Sequence, residues 1–549
     1  MTWAKRLGNS VLRARQRTGN ALKTLDDLLR RFEYLNDIGA SLSDEHDFSR
    51  LLEKITVAAK TITRADGGTL YLLSEDKRHL HFEIVRTDSL NIAFGGTSGN
   101  PVSGKFPDLP LYRENGSANH ALVAAHAALS GKTVNIADAY VAEGFDFSGT
   151  REFDQRTSYR SQSFLTVPMR NHEGDIIGVL QLINARGQSN DLVGPFSEAD
   201  QRLAESLASQ AAIALTNRQL LYQLEELFES FIRLINSAID DKSPYTGEHC
   251  QRVPELTMML AEAAHEASDG PLADFRLTDR DRYELRIAAL LHDCGKVTTP
   301  VHVVDKATKL QAIFDRIKLI DTRFELLRRD AEIRKLQLVV QGLPTEQAEA
   351  EFREFEARMK VDRDFLRKAN IGSERMSNGD IERVRSISRN YRWRNVDGTV
   401  SDFLTADELE NLTIRAGTLT HAERETINYH ATATIRMLEQ LPWPKHLKNV
   451  PEFAGGHHER MDGKGYPRGL KRDQLSWQAR MIGIADIFEA LTARDRPYKE
   501  AMTVSQALAI MDKFRRNGQI DPDLHEIFVR RAIYRKYASV FLDDKQVNC

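Results

Sequence analysis

The sequence predicts a multidomain protein: an N-terminal helix over 1–32, an α+β sensor-sized domain over 33–190, a long connecting helix over 196–235, and an all-α domain over 236–549 interrupted by an inserted helical hairpin at about 310–410. Three observations predict it. Alternating, β-branched runs are confined to the first third of the chain. From 196 to 241 almost no Gly or Pro breaks a helical pattern, and beyond Asp241 nearly every apolar run has helical spacing. A length of 549 residues suffices for roughly two to four domains, each with its own core.

Composition bounds the function classes. A hydrophobic share of 41 %, a charged share of 28 % and a mean hydropathy of −0.44 describe an ordinary globular chain. No apolar run reaches the roughly 18 residues needed to span a bilayer, and the basic start MTWAKRLGNSVLRARQRTGN lacks the apolar stretch and cleavage site of a secretory signal. A cytoplasmic location is expected. Lys5, Arg6, Arg13, Arg15 and Arg17, with Leu7, Val11 and Leu12 between them, read as a solvated signal-transmitting helix in preference to a membrane-surface one. A net charge of −3 offers no general attraction for a nucleic-acid polymer. The three cysteines, Cys250, Cys294 and Cys549, have no framework spacing and fit a reducing compartment.

In the first domain the clearest strands are 68–74, 79–86 and the pair SFLTVPMR and DIIGVLQLINA, which Asn171-His172-Glu173-Gly174 joins as a hairpin. Phe196-Ser-Glu-Ala-Asp200 opens the connecting helix with an acidic first turn. Along it Leu203, Leu207, Leu220, Leu224, Leu227, Phe231, Leu234 and Ile235 recur at three-and-four spacing. Such a stripe packs on its own domains or forms a dimer seam, and the length of the helix favours a homodimer. In the all-α domain, capping boxes are expected at Thr278 with Asp281 and at Thr420 with Glu423. Gly342-Leu-Pro344 separates two helical patterns of the insertion, and the polar stretch Asn378 to Ser401 reads as less regular and flexible.

The chemistry-bearing residues sit in the all-α domain. Leu290-Leu-His-Asp-Cys-Gly-Lys296 places His292 and Asp293 at the end of an apolar helix, where an uncompensated carboxylate is costly and a cation is one way to offset the cost. His249, His430, His457, His458 and Asp486 lie in similar settings. Five histidines and two aspartates form a nitrogen and oxygen donor set without thiolate, suited to Mn, Fe, Zn, Co or Ni. A carboxylate such as Asp293 can serve two cations at once, and two cations suit in-line attack of water on a phosphodiester. Lys296 is placed to meet a phosphate oxygen or to serve as a helix-end cation. Gly465-Tyr466-Pro467 makes either a plain turn or a rigid loop presenting Tyr466. Cys250 and Cys294 each follow a candidate ligand and read as small buried residues rather than redox sensors.

In order, HDCGK, HHERMDGKGYP, ADIFEALT and RPYK resemble the motifs of the HD-GYP family of HD phosphohydrolases, whose members hydrolyse cyclic di-GMP. The resemblance spans Asn236 to Phe514 apart from the insertion. It implies metal ligation by His249, His292, Asp293, His430, His457, His458 and Asp486, catalysis at Asp293 and Lys296, and substrate contacts from Lys296, Tyr466, Arg496 and Lys499. It also implies divalent ions, with Fe or Mn favoured. Some members hold a third metal through a Glu four residues before the first ligand His; Tyr245 stands there, so two metals are expected. The spacing from Asp486 to Arg496 is one residue longer than the family pattern, and the insertion alters a short connection near the substrate approach.

The amino-terminal domain resembles a GAF domain. The stretch FDQRTSYRSQSFLTVPMRNHEGDIIGVLQLINA is similar to the regulatory GAF domains of cyclic-nucleotide phosphodiesterases. Their Asn-Lys, Phe, Asp-Glu signature has the counterparts Asn184-Ala185, Phe196 and Asp200-Gln201, which makes Asn184, Phe196 and Asp200 the candidate contacts for a cyclic nucleotide or another small ligand. The resemblances together imply a cyclic di-GMP phosphodiesterase cutting to linear pGpG, and onward to GMP, under GAF control. The competing readings are a non-catalytic nucleotide-binding scaffold, and an HD hydrolase acting on a different cyclic dinucleotide or nucleotide.

Overall fold

A computed structural model describes residues 25–45, 47–187, 192–242, 249–372, 375–494 and 501–548. The chain divides into two compact units, Met1–Glu226 and Leu227–Cys549. The division falls within the helix Glu198–Lys242, which begins two residues later than the sequence suggests and ends seven residues further on.

The first unit is built on an antiparallel sheet of β1 (Ala65–Leu73), β2 (His79–Thr87), β3 (Ile92–Phe94), β4 (Leu109–Pro110), β5 (Val134–Ile136), β6 (Phe164–Arg170), β7 (Ile176–Arg186) and β8 (Val193–Gly194). Its order is β3-β2-β1-β7-β6-β5, with β4 on β2 and β8 on β7. The expected hairpin is β6–β7, with Val167 opposite Leu180. Because side chains alternate across a strand, Leu70, Leu165, Val167, Leu180 and Leu182 share one face. They pack on Leu51, Leu52, Ile55 and Ala59 of the helix Phe48–Thr63 and on Leu203, Leu207 and Ala211. Tyr71, Leu80 and Val179 point the other way, beneath the alanine-rich helix Val123–Ser130. The small side chains of that helix let it lie close on the sheet.

The second unit is helical apart from a short hairpin, Arg392–Arg394 with Val400–Asp402. Its main core gathers Val253, Leu256 and Leu260 from the helix His249–His265, Leu285, Ala288 and Ala289 from Asp279–Leu291, and Ile482, Ala485 and Phe488 from Trp477–Thr492. Both expected capping boxes are present. A second cluster is separate from this core. It unites Leu310, Ile320, Phe324, Met359, Leu366, Ile381, Val384, Ile387, Phe403 and Leu412, so the insertion has a hydrophobic centre of its own. The helices Ile317–Val340 and Thr345–Ile371 form its hairpin.

The first part of the segment expected to be less regular is helical instead. Ser377 and Asp380 close a capping box, and Asn378–Asn390 is a helix whose Ile381, Val384 and Ile387 face the insertion core. Three apolar residues at three-residue spacing outweigh a polar composition once a partner surface exists to bury them. At the base of the insertion, buried Lys306 donates to Asn411 Oδ1 at 2.7 Å and pairs with Glu423 at 2.7 Å. Among the described residues, no helix is long and apolar enough to cross a membrane.

Candidate metal centre

Five helical segments bring the candidate ligands together. His292 and Asp293 follow the helix Asp279–Leu291, His430 lies within His421–Leu438, His457 and His458 follow Val450–Gly455, and Asp486 lies within Trp477–Thr492. His249 opens His249–His265. The other six converge on Asp293. Asp293 Oδ2 lies 3.1 Å from His249 Nε2 and 3.2 Å from His292 Nε2, and its Oδ1 lies 3.3 Å from His430 Nε2 and 3.9 Å from His457 Nε2. Asp486 is 3.3 Å from His249 and 3.9 Å from His458. The donors form two groups, His249, His292, Asp293 and Asp486, and Asp293, His430, His457 and His458. Asp293 is the member common to both.

Local structure explains how the rings are aimed. His292, His430 and His457 each hydrogen-bond through Nδ1 to the carbonyl three residues earlier, Ala289 at 2.7 Å, Ile427 at 2.5 Å and Ala454 at 2.6 Å. A ring that donates Nδ1–H to a carbonyl turns an Nε2 lone pair inward, the tautomer a metal ligand needs. Gly295 permits the close approach of these segments, because a Cβ there would run into the His430 carbonyl and the Thr434 amide. Thr434 Oγ1 accepts from the Gly295 amide at 2.9 Å and donates to the His292 carbonyl at 3.2 Å, stapling the turn to the His430 helix.

The donors fit a cation. His292 Nε2, His457 Nε2 and Asp293 Oδ1 are buried and make no hydrogen bond. Buried polar atoms are ordinarily satisfied, and these three fall in the two donor groups, His292 in the first, His457 in the second and Asp293 in both. Burial works against charge on Asp293, but Lys296, His292 and His249 outweigh it and hold the carboxyl well below the usual range. Burial pushes His457 well below its ordinary value, and takes His458 down to about 4. Near neutral pH the centre therefore offers charged Asp293 and Asp486 together with neutral His457 and His458, the protonation states that metal binding requires. His249 is the exception: burial opposes its charge, but Glu489, Asp293 and Asp486 raise it well above the ordinary value. The thiols stay protonated, since burial pushes Cys294 up to about 11 and Cys250 well upward.

Around the donors, Lys296 Nζ lies 2.5 Å from Asp293 Oδ2. Burial opposes its charge, yet Asp293 and Asp486 raise it, so the ammonium is retained. The Tyr466 ring sits 4.7 Å from that of His458. Its loop is held by buried Glu459, which accepts from the amides of Arg468 at 2.7 Å and Leu470 at 2.9 Å. Arg496, Lys499 and Tyr245 lie outside the described residues. Sequence reasoning missed Glu489, Arg252, Thr434 and Glu459. The available signal for the first two was spacing: Arg252 stands three residues after His249, and Glu489 three after Asp486.

The three residues expected to meet a ligand in the first unit are taken up by contacts within it. Asn184 Oδ1 accepts from the Gln162 amide at 2.7 Å, and its Nδ2 donates to Tyr159 Oη and the Arg160 carbonyl, both at 2.8 Å. Phe196 is in the sheet core. Asp200 accepts from Ser197 N at 2.9 Å and Ser197 Oγ at 2.7 Å, and pairs with Arg31.

Comparison with known families matches residues 47–215 to the GAF domain, and residues 246–356 and 405–524 to the HD domain. The chain pairs a GAF domain with an HD domain. The two HD matches contain the seven converging donors and leave 357–404, within the insertion, outside both. The chain is 42 % identical over 109 residues to 3'3'-cGAMP-specific phosphodiesterase 3 of Vibrio cholerae, covering 20 % of this chain and 23 % of that protein. It is 35 % identical over 135 residues to 3'3'-cGAMP-specific phosphodiesterase 1 of the same organism, covering 25 % and 30 %. A cyclic di-GMP phosphodiesterase of Pseudomonas aeruginosa is 36 % identical over 130 residues, covering 24 % and 30 %. The chain thus spans less than a third of each of these relatives.

Proposed function

We propose that the HD domain is a metal-dependent phosphodiesterase that opens a cyclic dinucleotide, cutting cyclic di-GMP to linear pGpG, under control of the GAF domain. The observation that carries this reading is the convergence of six donors on Asp293 in two groups, with buried donor atoms left unsatisfied. Two divalent ions, Fe or Mn ahead of Zn, Co or Ni, suit that all-nitrogen and oxygen set. When bound, such ions supply positive charge for a phosphoryl oxygen and acidify a water. The chain's own groups do the rest. Lys296 binds a non-bridging phosphate oxygen in exchange for Asp293, and Tyr466 closes the mouth beside His458. Arg496 and Lys499 meet the remaining phosphate charge.

The identity to the two cGAMP-specific enzymes favours a second reading, in which the substrate is 3'3'-cGAMP. One experiment separates them. Full-length protein, loaded with Mn or Fe under low oxygen, is incubated in parallel with cyclic di-GMP and 3'3'-cGAMP, and products are resolved by chromatography. A linear dinucleotide is expected, absent from a His292→Ala, Asp293→Ala control. Bound metal without product from either nucleotide overturns both of these substrates, and bound metal with no hydrolysis across a nucleotide panel overturns the enzyme reading in favour of a scaffold.

The partner across the connecting helix is proposed to be a second copy. Leu220, Leu224, Leu227, Phe231 and Leu234 repeat at alternating four and three residues and are all at least half exposed, the spacing of a coiled-coil seam. Light scattering is expected to give twice 62.3 kDa. Leu227→Glu with Phe231→Glu is expected to give the monomer, and a monomeric parent chain refutes the seam.

A further inference from the structure

The aim of His249 is set differently from that of the other histidines. Where His292, His430 and His457 use backbone carbonyls, His249 Nδ1 meets the Glu489 carboxylate at 2.5 Å. Glu489 is 1 % exposed, and its other oxygen accepts from Arg252 Nε at 2.8 Å. Two pairs at helical spacing thus interlock: His249 and Arg252 from one helix, Asp486 and Glu489 from another. His249 touches both acids, and Arg252 holds the second of them. A carboxylate is a stronger acceptor than a carbonyl and lends the imidazole more electron density, so the ligand it supports binds a cation more tightly. In the second donor group His430 and His457 are backed by carbonyls, and His458 Nδ1 lies 3.9 Å from Asp486 Oδ2, beyond hydrogen-bond distance.

We infer that Glu489, held by Arg252, is a positioning residue that fixes His249 toward the metal and makes the position formed by His249, His292, Asp293 and Asp486 the tighter of the two. The inference rests on the dinuclear reading proposed above. Metal occupancy tests it without reference to turnover. The full chain is stripped, then titrated with Mn(II) or Zn(II) against a chromophoric chelator, with total metal measured by elemental analysis. In Glu489→Gln, which keeps the shape and removes the charge, the tighter equivalent is expected to weaken roughly 10- to 100-fold while the other is unchanged. The Mn(II) electron paramagnetic resonance signal of the first equivalent is expected to change with it. Arg252→Gln, which leaves the carboxylate but loosens its hold, is expected to weaken the same equivalent, and serves if Glu489→Gln does not fold. Equal weakening of both equivalents, or of neither, overturns the inference. A parent chain that binds only one ion refutes the dinuclear reading and with it the ranking of two positions; the positioning role of Glu489 then stands if Glu489→Gln weakens that ion and falls if it does not. A parent chain that binds none refutes both.

Discussion

Replacing Asp293 by Asn is expected to lower cyclic-dinucleotide hydrolysis by roughly 10³-fold or more, about 4 kcal/mol of barrier, because several kcal/mol of charge stabilisation depend on it. The reason is its position. Asp293 belongs to both donor groups, and is the carboxylate nearest to Lys296 and to four histidine nitrogens. Asn preserves volume and one acceptor but removes the charge. Each group then loses half or all of its anionic donors: the first keeps Asp486, and the second retains only histidines. Elemental analysis is therefore expected to show both metal positions depleted, whereas Asp486→Asn depletes one. Retention of both ions and of activity in Asp293→Asn contradicts the shared-ligand geometry.

Much of this centre is legible in the sequence because its residue types are out of place. A charged Asp in MIGIADIFEAL or at the end of IAALL interrupts a helix that otherwise reads as core, so burial and a compensating partner are implied together. Glu489 carries no such mark. A Glu one turn beyond Asp486 looks like an ordinary helix residue, and only the approach of His249 and Arg252 from another helix reveals that it is buried. Thr434 and Gly295 are invisible for the same reason, since their roles are contacts between segments more than a hundred residues apart in the chain. The first unit was readable from strand alternation, and its hairpin from the polar turn before Asp175. The polarity of 378–401 misled because the cost of solvating its apolar stripe shows only beside the surface that buries it. The Ser377 and Asp380 capping box was the local sign of a helix.

The insertion is expected to unfold separately from the metal centre when its central ion pair is broken. Arg323 is 9 % exposed and Glu408 2 % exposed, and the two are joined by bonds of 2.7 and 2.9 Å. Arg323 also donates to the Phe403 carbonyl at 2.9 Å and lies 5.3 Å from the Trp393 ring centre, while Glu408 accepts from the Thr405 amide at 2.9 Å. Arg323→Met leaves the Glu408 charge buried without its partner, which costs about 3–5 kcal/mol. Replacing both, Arg323→Met with Glu408→Leu, removes the stranded charge, and most of that loss is expected to return. The damage should stay local, because the hydrophobic cluster around this pair shares no residue with the one beneath the donors. Hydrogen exchange is expected to speed up across Ile317–Val340 and Asn378–Asn390 in Arg323→Met, with protection of Asp279–Leu291 and metal content unchanged. Loss of protection in both regions together makes the insertion an integral part of the HD core. Local loss makes it a separate cooperative element fastened by Lys306 and Glu423, one that could grow beside the site without disturbing the ligands.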